Sequence, residues 1–99
     1  MDKALQMIGM AKKAGKTAEG EYLCEDAVRR EKSKLIIIAT DISEKSRERI
    51  VNSCKFHKID YIDYSDSENL GRITGNEKRV VVSINDEGFA KAIVDKISQ

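Results

Sequence analysis

A chain of 99 residues has the length of one domain with one core and is too short for two. Hydrophobic residues at 40% and charged residues at 35%, with only 5% aromatic, describe a globule with a heavily solvated surface and exclude a fibrous or disordered chain. The net charge of +1 does not by itself announce a polyanionic partner, so any such partner must be argued from where the charges sit. The longest apolar run, Leu35-Ile36-Ile37-Ile38-Ala39, falls far short of a bilayer span. Met1-Asp2-Lys3 leads straight into an amphipathic pattern, without the apolar core and cleavage site of a secretory signal, so the expected location is the cytoplasm. Cys24 and Cys54 lack zinc-site spacing and are too few for a disulfide framework; both read as reduced, partly buried small hydrophobes.

Apolar residues at Leu5, Ile8 and Ala11 recur at helical spacing, and Gly15 follows two lysines, which predicts a first helix over residues 2–14. Thr17 to Glu19 is a short extended piece. After Gly20, acids weighted to the front (Glu21, Glu25, Asp26) and bases to the back (Arg29, Arg30, Lys32) complement a helix dipole and predict a helix over 21–31. Lys34 to Thr40 is continuously apolar and β-branched, the pattern of a central strand covered on both faces. Ser43 opens a capping pattern for a helix to about His57, and Ile59 to Tyr64 alternates as a less central strand. Ser67 is the expected cap of a short helix through Ile73. Arg79 to Ile84 reads as a further β-branched strand, and Asp86 as the cap of a last helix over Glu87 to Ile97. With no proline, linker or repeat there is no internal boundary. Strands separated by helices require parallel or mixed pairing, so the expected fold is a three-layer α/β/α sandwich with a mixed four-stranded sheet, one domain over residues 1–99.

Such a layout can bind nucleotides at the carboxyl ends of its strands, yet neither GxGxxG nor GxxxxGK[ST] occurs, so the phosphate-cradling loops are absent. His57, the only histidine, sits near a helix C-terminus, where a favourable charge is a more ordinary role than that of a catalytic base. Asp41 follows the central strand, a place for either a metal ligand or a loop-capping carboxylate; no matching second ligand favours the cap. The expectation is a protein that is not an enzyme, without cofactor or metal. Basic residues gather in three places: Lys12, Lys13 and Lys16; Arg29, Arg30, Lys32 and Lys34; and Arg72, Lys78 and Arg79 around a glycine-bearing loop.

Ala14-Gly15-Lys16, Gly20-Glu21, the strand Lys34 to Ala39, Ser43-Glu44-Lys45, Leu70-Gly71-Arg72, Val80-Val81-Val82 and Asp86 to Lys91 occur in an order that resembles the kink-turn-binding ribosomal protein family. The likeness is strongest to its small bacterial YlxQ-like branch and extends over nearly the whole chain. The resemblance implies an RNA surface made from the start of the helix after Gly20 and the loop before the last strand, with the amides of Glu21 and Tyr22 facing the RNA. Helix N-terminal amides donate to phosphates and base edges, and glycine lets backbone and RNA approach. The family pattern has Asn-Glu, then Lys, where this chain has Tyr22, Leu23 and Asp26. An Asn-Glu pair reads guanine edges in sheared G·A pairs, contacts that Tyr-Leu does not reproduce.

Tyr22 has two readings, stacking on an unpaired base or packing against the first helix. Lys16 and Lys34 are expected to flank the same edge, and Gly71, Arg72, Gly75, Lys78 and Arg79 to close over the RNA from the later loop. The implied partner is structured RNA, kink-turn-like or internal-loop, with ribosomal RNA as a candidate, bound by a monomer away from membranes. The alternative is an adaptor for ribosomal or transcription proteins with weak RNA affinity.

Overall fold

The computed structural model describes residues 2–99 and follows the order α1 (Lys3–Lys13), β1 (Thr17–Glu19), α2 (Glu21–Arg29), β2 (Leu35–Ile38), α3 (Glu44–His57), β3 (Tyr61–Asp63), α4 (Ser67–Ile73), β4 (Val81–Ile84), α5 (Glu87–Ser98). The strands lie in the order β1-β4-β2-β3. β2 and β3 are parallel, whereas β4 runs antiparallel to both its neighbours, so the sheet is mixed as expected. β2 is interior and buried at every position. Its side chains alternate between two half-cores. Leu35 and Ile37 join Ile8, Ala11, Leu70 and Ile93 from α1, α4 and α5; Ile36 and Ile38 join Cys24, Val28, Ile50 and Cys54 from α2 and α3. Three helices therefore cover one face and two the other. β3 is an edge strand and only partly buried, as its alternating sequence implies. No helix among the described residues is long and apolar enough to cross a membrane.

Capping explains most of the boundaries. Ser43 accepts from the Ser46 amide and Asp86 from Phe89, each starting its helix as anticipated, whereas Asp2, expected inside the first helix, caps it by accepting from the Leu5 amide. α4 departs from expectation: its cap is Asp66, which accepts from the Asn69 amide at 2.8 Å, while Ser67 is buried and held by Asp41. Asp41 accepts from both the Ser67 amide (2.8 Å) and the Ser67 hydroxyl (2.6 Å), so this carboxylate fastens the β2–α3 loop to the start of α4. α2 stops at Arg29 rather than residue 31, because Glu31 adopts φ +58° and the Lys32 amide turns back to the Ala27 carbonyl. Arg79 does not join β4, since its amide bonds to the Ser67 carbonyl at the head of α4.

The segment between α4 and β4 is the part of the fold most tightly specified by glycine. A Cβ on Gly71 would lie 2.6 Å from the Glu77 carbonyl oxygen and 2.7 Å from the Lys78 Cα, so only glycine lets the returning chain lie against α4. From the other side the segment is held by Glu19, whose side chain is only 9% exposed. Glu19 accepts from Lys12 Nζ (2.7 Å), Thr17 Oγ1 (2.6 Å) and Asn76 Nδ2 (3.4 Å), and Asn76 Oδ1 in turn accepts from the Arg79 guanidinium (3.1 Å). Burial alone raises the pKa of Glu19, but the hydrogen bonds from Lys12, Thr17 and Asn76 and the charge of Lys12 outweigh it and hold the group below its ordinary value.

Two consequences are measurable by denaturant unfolding. Gly71→Ala forces backbone to move and is expected to cost about 2 kcal/mol, within the range for overpacking a close contact. Glu19 binds a proton less readily folded than unfolded, so its contribution is complete above the ordinary value of 4.5 and is lost as pH falls through the lower folded value. The wild-type protein should therefore lose more stability between neutral and strongly acidic pH than Glu19→Gln; equal losses would mean that the carboxylate contributes nothing.

Candidate nucleic-acid interface

The end of the sheet at which β4 begins gathers most of the residues singled out from the sequence. Gly20 has φ +92° and ψ +158°, a conformation that side chains at this position resist, and a Cβ there would meet nothing within 4 Å. The glycine is thus required by backbone conformation, and its outer side is open. Its amide is anchored to the Val81 carbonyl (3.0 Å) and its carbonyl receives the Cys24 amide (3.0 Å), the first helical bond of α2. No side chain caps this helix. The amides of Glu21, Tyr22 and Leu23 therefore precede the intrahelical ladder at the positive end of the helix dipole.

Tyr22 is 77% exposed and Leu23 53% exposed, which rules out packing of Tyr22 against α1 and leaves an aromatic ring in solvent beside the amides. Glu21 reaches across to Arg49 on α3, 3.6 Å away. Asp26, where the family pattern has lysine, is paired with Arg29 (3.5 Å) and Arg30 (3.2 Å) from the next turn. Beneath Tyr22 the helix is fixed by Cys24, a buried free thiol whose Sγ lies 3.4 Å from the Ala18 carbonyl and whose pKa burial pushes up.

Facing this helix start is the loop from Gly75 to Arg79. Gly75 is also left-handed, at φ +78°, and open on its outer side. The Asn76 amide closes the turn onto the Gly71 carbonyl at 2.8 Å, and Thr74 Oγ1 donates to the Leu70 carbonyl at 2.8 Å. Asn76, Glu77, Lys78 and Arg79 line a surface concavity. Lys78 and Glu77 are exposed; the Arg79 Nε is buried and, among the described residues, has no hydrogen-bond partner.

The structure thus brings Gly20, Glu21 and Tyr22 together with Gly75, Lys78 and Arg79. Gly71 lies behind them as the contact that seats the loop, and Arg72 points outward from α4, bonded to Asn69 (2.9 Å) and Glu68 (3.1 Å). Lys16 and Lys34 are elsewhere. The Lys16 carbonyl accepts from Asn85 and the Lys34 amide donates to Ile84, which puts both lysines where β4 ends, whereas Gly20 sits where it begins. The expectation that these lysines flank the same edge as Gly20 is corrected by strand length, since four extended residues separate Lys16 from Gly20 by about 13 Å. Glu19 and Asn76, which tie the two halves of the site together, were not singled out from sequence. Their signal was their placement, directly before Gly20 and directly after Gly75.

A family model described as the ribosomal protein L7Ae/L30e/S12e/Gadd45 family matches residues 2–94. A Bacillus subtilis protein named RNA-binding protein YlxQ is 32% identical over 88 residues, covering 89% of this chain and 88% of its own length. The Enterococcus faecium protein of the same name is 30% identical over 89 residues, covering 90% and 85%. Among solved structures, a Bacillus halodurans protein of unknown function superposes with a TM-score of 0.94 at 25% identity, with each chain covered completely. A Giardia lamblia 15.5 kD RNA-binding protein shares the fold, with a TM-score of 0.79 at 18% identity over 95% of this chain and 81% of that one. A family match over all but the ends of the chain, joined to relatives at this identity over nearly full length, places it: the chain belongs to the ribosomal protein L7Ae/L30e/S12e/Gadd45 family.

Proposed function

We propose that this chain is a non-enzymatic RNA-binding protein that recognises a structured RNA, a kink-turn or internal loop, and acts in association with ribosomal RNA. The observation that carries the reading is an exposed tyrosine at an uncapped helix N-terminus, whose leading strand is tied through Glu19 and Asn76 to a cationic, glycine-opened loop. The amides of Glu21 and Tyr22 offer donors to a phosphate, and the ring of Tyr22 offers a face to a base that the RNA has already unstacked. Lys78 and Arg79 supply charge from the opposite wall. Two relatives named as RNA-binding proteins support the same reading.

Because Tyr22 and Leu23 stand where the family pattern has Asn-Glu, recognition here rests on stacking and backbone contacts more than on base-edge hydrogen bonds. The ligand class is therefore RNA that presents an extruded base, with less demand on which base it is. A second reading, an adaptor for ribosomal or transcription proteins, draws on the adjacent exposed pair Tyr22 and Leu23, which is also the composition of a protein-contact patch.

Fluorescence anisotropy with a kink-turn RNA, an unkinked duplex and ribosomal RNA, each at two salt concentrations, separates these readings. The expected result is salt-sensitive binding that prefers the kinked RNA or ribosomal RNA over the duplex. Tyr22→Ala should lower affinity about tenfold, the loss of one stacked base, and Tyr22→Phe should retain it. Absence of binding to all three RNAs would move the adaptor reading into first place.

A further inference from the structure

Next to the candidate interface, on the face covered by α1 and α4, lies an open groove that the family resemblance does not assign. The two helices meet closely at Gly9, where a Cβ would come within 3.0 Å of Ile73 Cγ1. The walls of the groove include Met10, Lys12, Lys13, Arg72, Ile73 and Gly75, and among the described residues no acidic one lines it. Met10 is 55% exposed there. Folding has thus joined two basic clusters that are sixty residues apart in sequence, the lysines at the end of α1 and Arg72 of α4.

Lys13 makes no ion pair among the described residues. Among the described residues Arg72 is tied only within its own helix, by a hydrogen bond to Asn69 and an exposed i,i+4 pair with Glu68 that contributes little and exchanges readily for a phosphate. The groove is also continuous with the interface. Gly75 belongs to both, and Lys12 is bonded to Glu19, the residue before Gly20.

We propose that the groove between α1 and α4 seats the sugar-phosphate backbone of an RNA arm that flanks the element bound at Tyr22, with Lys13 and Arg72 on phosphates and Met10 against a ribose. The inference rests on the RNA-binding reading and extends its footprint. Charge selects the occupant: the lining holds three cations and, among the described residues, no carboxylate of its own, with Lys13 outside any ion pair and Arg72 in an exposed, exchangeable one, which fits a polyanion, and a single exposed methionine is too small an apolar anchor for a protein helix.

The test uses the full chain and an internal-loop RNA whose two arms are trimmed in turn. Trimming one arm should weaken wild-type binding about tenfold. The double variant Lys13→Ala/Arg72→Ala should bind the untrimmed RNA as weakly as wild type binds the trimmed one. It should be indifferent to trimming, and its salt slope should be lower by about 2, one for each lost phosphate contact. Both positions are exposed, and circular dichroism verifies that the variant folds. If wild type tolerates trimming of each arm in turn, or the double variant binds like wild type while Tyr22→Ala does not, the groove proposal falls and the interface reading stands. If poly-glutamate occupies wild type but not the double variant while RNA affinity is the same for both, the groove belongs to an acidic polypeptide and the proposal is overturned. Failure of every RNA to bind would remove both readings together.

Discussion

Burial of β2 on both of its faces is the constraint from which the rest of the architecture follows. Leu35 to Ile38 are all shielded from water, and each aliphatic side chain removed from water contributes about 1.5–3 kcal/mol, so both faces of the sheet must be covered. α1, α4 and α5 cover one face and α2 and α3 the other. β4, the second interior strand, accommodates one polar side chain, Ser83, because it is satisfied by Ser33 Oγ (2.8 Å) and Asn85 Oδ1 (2.6 Å). With β4 antiparallel to both neighbours, the connection into α2 and the connection out of α4 meet at one end of the sheet. The candidate interface is built there.

Its geometry is held by backbone and by partly buried polar contacts more than by Tyr22 and the exposed cations themselves. Gly71 permits the close approach of residues 77 and 78, Gly20 and Gly75 supply left-handed backbone, and the chain of contacts Lys12, Glu19, Asn76, Arg79 spans from α1 to the loop. Asp41 makes the corresponding tie from the end of β2 to the head of α4. Tyr22 is left with its ring in solvent on a rigid base, an arrangement that lowers the entropy lost when a ligand stacks on it.

The element order, the mixed sheet and the buried central strand were readable because they depend on apolar periodicity, which is strong in Lys34 to Thr40 and in the last helix. What escaped depends on conformations that carry no compositional mark. Glu31, Lys58 and Ser65 take positive φ without being glycine, so the end of α2 was placed two residues late. Asp66 and Ser67 are both good caps, and only the bond from buried Ser67 to Asp41, twenty-six residues away, decides between them. The site was legible where glycine marks it and illegible where long-range contact makes it. Lys16 and Lys34 looked suitable because charge is visible in sequence, whereas the end of the sheet at which a residue falls is a product of strand pairing.

Charge placement also shows how this chain departs from the family pattern. An acid at position 26 near the proposed phosphate contact would be unfavourable, yet Asp26 is paired with Arg29 and Arg30, and Glu21 leans toward Arg49, so neither carboxylate confronts the helix N-terminus unopposed. The negative charge is compensated by bases on the flank of α2 and α3, and the exposed side chains of the first turn of α2, Tyr22 and Leu23, are uncharged. On the proposed RNA-binding reading, a surface that offers backbone amides, an aromatic ring and a leucine, with cations across a loop, would discriminate by shape and by the availability of an unstacked base. Hydrogen-bond reading of particular base edges requires polar side chains at positions 22 and 23, and this chain has replaced them with Tyr22 and Leu23.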